Sequence, residues 1–215
     1  MTKNFYYLAI VLIAMCIPQK GWAEVWTSGA VNYAYTVGES EASVNPGTVK
    51  YVNHRPNFYA GSPSASGSIS IHSDFSVKGN EYVVTKIGRY AFYNTRITDI
   101  SIPNSVTMID LCAFENCTNL SSVTLPDSLT YIGYNAFHNC KITNITIPNT
   151  VKEIKSLAFW GCNGLTSVKL PDSLEVIEEG TFFECRSLTN IIIPNTVKII
   201  EHDAFYGCSS LTSIT

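Results

Sequence analysis

The chain has 215 residues, a net charge of −3 and only 14% charged residues, which excludes the basic field that nucleic-acid binding requires. Apolar residues make up 46%, with many Ile, Val, Phe and Tyr. This composition suits β-structure with a sizeable core beneath a neutral, hydroxyl-rich surface.

The N-terminus, "MTKNFYYLAIVLIAMCIPQKGWAEVW", places Lys3 ahead of an apolar run from Phe5 to Ile17, followed by Gly21, Trp22 and Ala23. That run is too short to cross a bilayer core of roughly 30 Å. Small residues at 21 and 23 fit a cleavage site, so residues 1–23 read as a secretory signal and the mature chain as exported. Cys16 offers lipid attachment as an alternative, although Met15 stands where such a motif has a small residue. No later stretch reads as a membrane span.

Residues 24–83 alternate in "VNYAYTV" (31–37) and "SISIH" (68–72), and "NEYVVTKIG" (80–88) leads out of this segment. The expectation is an N-terminal β capping segment, because the end coil of a stacked array exposes an apolar side.

From residue 84 onward one pattern recurs. Phe92, Phe114, Phe137, Phe159, Phe182 and Phe205 are each preceded by Ala, or by Thr181 in one case, at spacings of 22 or 23 residues. Pro103, Pro126, Pro148, Pro171 and Pro194 keep the same period. A repeat of this length predicts a β-rich solenoid of about six units over 84–215. In "LSSVTLP" (120–126), Val123 and Leu125 alternate with Thr124, which predicts a short strand with one buried face, ended by Pro126. Leu129, Ile132, Ala136 and Phe137 then point inward along the opposite side, expected to consist of turns or short helical segments. One coil cannot bury these residues, but stacked coils with parallel strands can. "LTSIT" (211–215) stops within a strand; the expectation is either a piece of a longer protein or an edge covered by a partner.

The stretch "IPNSVTMIDLCAFENCTNLSSVTLP" resembles the BspA-like leucine-rich repeats of secreted and surface proteins in Bacteroidales-type bacteria. The resemblance covers about residues 84–215 and rests on Pro, Ala-Phe and Cys at fixed offsets. It implies a leucine-rich-repeat solenoid and a role in adhesion, with host matrix or plasma proteins such as fibronectin and fibrinogen, or other cells, as partners.

Cys117, Cys140, Cys162, Cys185 and Cys208 share one column, with Thr95 in the first unit and Cys112 offset from it. They read as small buried thiols, with partial disulfide pairing as the alternative. The C-x-x-C spacing of a metal loop does not occur. His54, His72, His138 and His202 share no column and read as solvated, so no nucleophile–base–orienter set emerges and no enzyme is expected. No cofactor is expected either.

Two rows remain as candidate binding surfaces. The position after each Phe reads Tyr93, Glu115, His138, Trp160, Phe183 and Tyr206. Trp160 and Phe183 could anchor a protein or stack on a glycan, or simply pack over the neighbouring turn. The outward strand positions include Asn144, Thr146, Ser167, Lys169, Asn190 and Ile192, a hydroxyl and amide lattice interrupted by Lys169 and Ile192. The leading expectation is a secreted or cell-surface module binding a protein partner through this lattice. A glycan-binding surface and a structural spacer that displays a domain beyond residue 215 are the alternatives.

Overall fold

A computed structural model describes residues 66–71, 73 and 84–215, together with the backbone of strands Val25–Ser28, Val31–Ala34, Thr48–Val49, Asp74–Val77 and Asn80–Val84. The segment expected to be a secretory signal (1–23), His54, His72 and most of the segment expected to cap the stack (24–83) lie outside the described residues. Ser66–Ser70, within that segment, pairs in parallel with Arg96–Ser101 and buries Ile69.

Each coil begins with a strand of the first ladder. Arg96–Ser101 pairs with Ser122–Thr124, Asn144–Thr146 with Ser167–Lys169, and Asn190–Ile191 with Ser213–Ile214, all parallel. Ser122–Thr124, Asn144–Thr146 and Ser167–Lys169 bury the middle residue and expose both flanking ones, the alternation that their sequences predict. The proline ends the strand because it has no N–H to donate. Its carbonyl then closes a turn: Leu129 N donates to Pro126 O at 3.0 Å, and Val151 N to Pro148 O at 3.0 Å.

The opposite side consists of turns, as expected, together with a second ladder. The described residues contain no helix. Two-residue strands form a second parallel ladder through Lys86–Ile87, Met108–Ile109, Tyr131–Ile132 and Glu153–Ile154, and Val176–Ile177 pairs likewise with Ile199–Ile200. The next turn of each coil is hydrogen-bonded to its neighbour: Phe92 N donates to Ala113 O at 2.7 Å, Phe137 N to Ala158 O at 2.8 Å, and Phe182 N to Ala204 O at 2.9 Å. A helix would satisfy those groups within its own coil. Here they join neighbours, which satisfies the buried backbone while tying the stack together.

Two residues per turn take left-handed backbone angles. One column is Tyr90, Cys112, Asn135, Leu157, Gly180 and Asp203, with φ from 53° to 60°; the other includes Asn94, Asn116, Asn139 and Glu184, with φ from 54° to 60°. Cys112 therefore belongs to a turn column and not to the column of Cys117. Left-handed residues reverse the chain direction sharply, and Asn tolerates this conformation better than most side chains.

The core consists of columns running along the stack. Val106, Leu129, Val151 and Leu174 form one, Ile109, Ile132, Ile154 and Ile177 another, and all are buried. The phenylalanines form a third. Successive ring centroids from Phe92 to Phe205 lie 5.2 to 5.6 Å apart and the planes within 5° to 7° of parallel, an offset stack.

Candidate functional site

The first ladder places the lattice residues side by side. Asn144 lies opposite Ser167 and Thr146 opposite Lys169; a further parallel bridge joins Lys169 to Ile192. Asn144, Thr146, Ser167, Lys169, Asn190 and Ile192 are all exposed. Part of the lattice is bonded to itself: Ser167 Oγ donates to Asn144 Oδ1 at 2.7 Å, and Thr166 Oγ1 lies 3.1 Å from the same oxygen. Beside it runs a hydroxyl row in which Thr166 Oγ1 donates to Thr143 O at 3.0 Å and Thr212 Oγ1 to Thr189 O at 3.1 Å. These bonds fix short side chains at the strand spacing, so the face is preorganised. Ile192 is 72% exposed, a β-branched apolar side chain held out from a polar sheet.

Trp160 and Phe183 do not join that group, because they sit on the turn side of the coil. There His138 stacks on Trp160 with centroids 4.2 Å apart and planes 12° from parallel. Trp160 meets Phe183 edge to face at 5.9 Å, and Phe183 stacks on Tyr206 at 4.9 Å. Row neighbours thus cover one another's ring faces. Sugar stacking requires a free ring face, so this geometry favours packing over the neighbouring turn.

His138, expected in solvent, is instead largely covered, with its Nδ1 3.3 Å from Glu115 Oε1. The two residues share a column, and stacking brings residues 23 apart into contact. Burial by itself would raise the pKa of Glu115. The hydrogen bonds from His138 and Cys112 and the His138 charge outweigh it, leaving the carboxyl below its usual range. A group depressed on folding adds stability above its unfolded pKa and loses it as pH falls through the folded value. Urea unfolding should therefore show stability declining below about pH 4.3, and less steeply in Glu115→Gln. Equal slopes in the two proteins would contradict this role.

Glu115 also stands beside the Cys112 thiol. Burial, then the hydrogen bond and charge of Glu115, push that thiol up to about 12. A cysteine nucleophile needs the opposite shift, so Cys112, Glu115 and His138 form a structural network and not an activated thiol.

Cys117, Cys140, Cys162, Cys185 and Cys208 are free and buried. Cys117 Sγ donates to Phe92 O at 2.9 Å, Cys140 Sγ to Phe114 O at 3.1 Å, Cys162 Sγ to Phe137 O at 3.1 Å, and Cys208 Sγ to Phe182 O at 3.1 Å. Each thiol thus clips its turn to the preceding coil. Burial pushes the Cys162 thiol up to about 12 and raises those of Cys140, Cys185 and Cys208. Ellman's reagent at pH 8 should find these four thiols unreactive in the native protein and reactive once urea is added. Rapid native reaction would contradict the ladder. Cys162→Ala should cost about 1–2 kcal/mol in urea unfolding, from one lost hydrogen bond and a small cavity.

On the second ladder, Lys155 pairs with Glu178 and Glu153 in a shallow groove that also includes Lys152 and Glu175. These ion pairs engage Lys155, Glu153 and Glu178, and Glu175 pairs with Lys198. Among the described residues no helix is long and apolar enough to cross a membrane.

Known proteins share this geometry. A model of the BspA type Leucine rich repeat region matches residues 85–214 in six copies. The crystal structure of a leucine-rich repeat protein from Bacteroides ovatus is similar at a TM-score of 0.63 and 29% identity, over 88% of this chain and 52% of that one. A leucine rich cell surface protein from Faecalibacterium prausnitzii shares the fold at a TM-score of 0.52 and 23% identity, over 89% of this chain and 54% of that one. A T. pallidum leucine-rich repeat protein is similar at 0.53 and 27%, over 73% and 88%. The chain spans about half the length of the first two. Among curated proteins nothing matches. Six copies of one repeat, built from a short strand, a proline turn and a phenylalanine turn that a cysteine clips in most coils, place this chain in the BspA-type leucine-rich repeat family.

Proposed function

We propose that the chain is an exported or cell-surface interaction module that binds a protein partner through the outward face of its first strand ladder. Leucine-rich-repeat solenoids offer such extended faces for protein recognition. The observation that carries the reading is the adjacent pair Lys169 and Ile192. A charged and an apolar side chain stand exposed together within a lattice of short polar groups, several of them hydrogen-bonded to one another. Surfaces of this kind concentrate binding energy in a few anchors and use the surrounding groups for complementarity. Export is supported by the N-terminal sequence of residues 1–23. Adhesion to host matrix or plasma proteins is the role that the family resemblance suggests.

The test is solid-phase binding of residues 24–215 to immobilised fibronectin, fibrinogen and intact host cells, beside a Lys169→Ala/Ile192→Ser variant. Saturable binding that weakens at least tenfold in the folded variant is expected; tenfold corresponds to about 1.4 kcal/mol. Binding that the variant retains in full would move the site elsewhere. No binding by the folded wild type would favour a spacer role.

A further inference from the structure

The charges of the solenoid are distributed unevenly. Lys86 and Arg89 pair with Asp110, Lys155 with Glu153 and Glu178, Arg186 with Glu184, and Lys198 with Glu175. Apart from Arg186 and Glu184, which pair at the turn, these partners belong to the second ladder and the segments beside it. The strand side is different. Arg96, Lys141 and Lys169 have no carboxylate within ion-pair distance among the described residues; of the described cations without such a partner, only Lys152 lies away from this side. The outward positions of the first ladder from Ser122 to Thr215 hold no acid at all. They read Ser122, Thr124, Asn144, Thr146, Ser167, Lys169, Asn190, Ile192, Ser213 and Thr215. Asp99, one coil earlier, is already bonded by Thr98 Oγ1 at 2.7 Å. A chain of net charge −3 thus presents a row of outward strand positions whose one charge is the Lys169 ammonium.

Given that this face is the recognition surface, as proposed for the protein's function, we infer that its partner is an acidic polypeptide segment with an aliphatic side chain between carboxylates. Lys169 takes a carboxylate and Ile192, beside it on the next coil, takes the aliphatic group. Lys141, exposed at the entry to the Asn144–Thr146 strand, attracts further acid on the neighbouring coil. The amide and hydroxyl groups of Asn144, Ser167 and Asn190 lie between, suited to peptide groups of an extended chain. Long-range attraction of an acidic segment to this side also offsets the repulsion expected from the overall negative charge.

The test uses the mature chain and three short synthetic peptides, each with a central Ile flanked by Glu, by Lys or by Ser, followed by fluorescence anisotropy. The Glu peptide should bind at least tenfold more tightly than the Lys peptide at low salt, and weaken as salt rises. Lys169→Glu should abolish that preference, Lys169→Ser should reduce it, and Ile192→Ser should weaken binding of all three peptides. Equal affinities for the three peptides, or a preference indifferent to Lys169, would overturn the proposal. Sulfated dextran is a further arm. If it binds more tightly than the Glu peptide and ignores Ile192→Ser, the cations serve a polyanionic glycan and the proposal fails. Fibronectin, fibrinogen or cell binding that is lost in Lys169→Ala/Ile192→Ser yet is insensitive to salt and to Lys169→Glu would overturn the acidic partner while leaving the interaction face intact.

Discussion

Phe137→Ala is expected to cost the solenoid about 3–5 kcal/mol in equilibrium unfolding, the range for deleting a fully buried phenylalanine. Phe137 has no exposed surface, and its ring lies between Phe114 at 5.2 Å and Phe159 at 5.4 Å. Truncation would leave a cavity at mid-stack and remove two ring contacts together. Neighbouring columns cannot collapse into the gap, because the strands and turns on both sides hold the coil spacing through backbone hydrogen bonds. In a stack where each repeat touches only its neighbours, a weakened interface in the middle divides the array. The variant should therefore unfold with a lower urea midpoint and a broader transition than the wild type. Phe137→Leu, which refills most of the volume, should recover about half of the loss. A Phe137→Ala cost below about 1 kcal/mol would mean that the phenylalanine column does not carry the core.

Gly133→Ala is the second large effect, and its sign runs against ordinary expectation. Replacing glycine where its conformation suits any residue usually stabilises by about 0.4–1 kcal/mol, through the unfolded chain. Here a Cβ would lie 2.6 Å from the Asp110 carbonyl carbon and 2.7 Å from the Leu111 nitrogen, both of them backbone atoms. Those atoms cannot swing aside. Asp110 is held by its own bond to Leu111 N at 2.7 Å and by its ion pair with Lys86 at 2.9 Å. The two coils must part locally, lengthening the bond from Gly133 N to Ile109 O, now 2.8 Å. A loss of about 2 kcal/mol is expected from such overpacking. Lys155 and Glu178 occupy the same column in later coils, so the close approach belongs to this interface and not to the repeat in general. A neutral or stabilising Gly133→Ala in urea unfolding would refute it.

Much of the coil was legible in the sequence because its signals are positional. The Ala-Phe and proline spacings set the period, and the alternation around Val123 and Thr124 set which strand residues face inward. Once strands are parallel and in register, the outward rows are determined, so Asn144, Ser167, Lys169 and Ile192 fall together on spacing alone. The second ladder was not legible, since two residues such as Tyr131–Ile132 are too short to show alternation. The left-handed turn columns left a fainter trace, asparagine or glycine at Asn94, Asn116, Asn139, Gly161 and Gly207, which the Ala-Phe pairs overshadowed. The role of Cys112 was obscured because most coils carry a different residue at its position. Side-chain contacts between coils were the hardest to read. The meeting of His138 with Glu115, and the mutual covering of the Trp160 and Phe183 rings, depend on which atoms face along the stack, which a one-residue-per-coil reading does not contain.

The claim that recognition belongs to the strand side and not to the aromatic turn side can be tested most directly by site-specific photocrosslinking. A benzophenone side chain would replace Asn190 on the strand face in one protein and Tyr206 on the turn in another, both exposed positions. Each protein would be irradiated on whichever immobilised protein or cell surface the wild type binds. The account predicts a covalent adduct from position 190 and none from position 206. An adduct from 206 with none from 190 would contradict it and place the working surface on the turns.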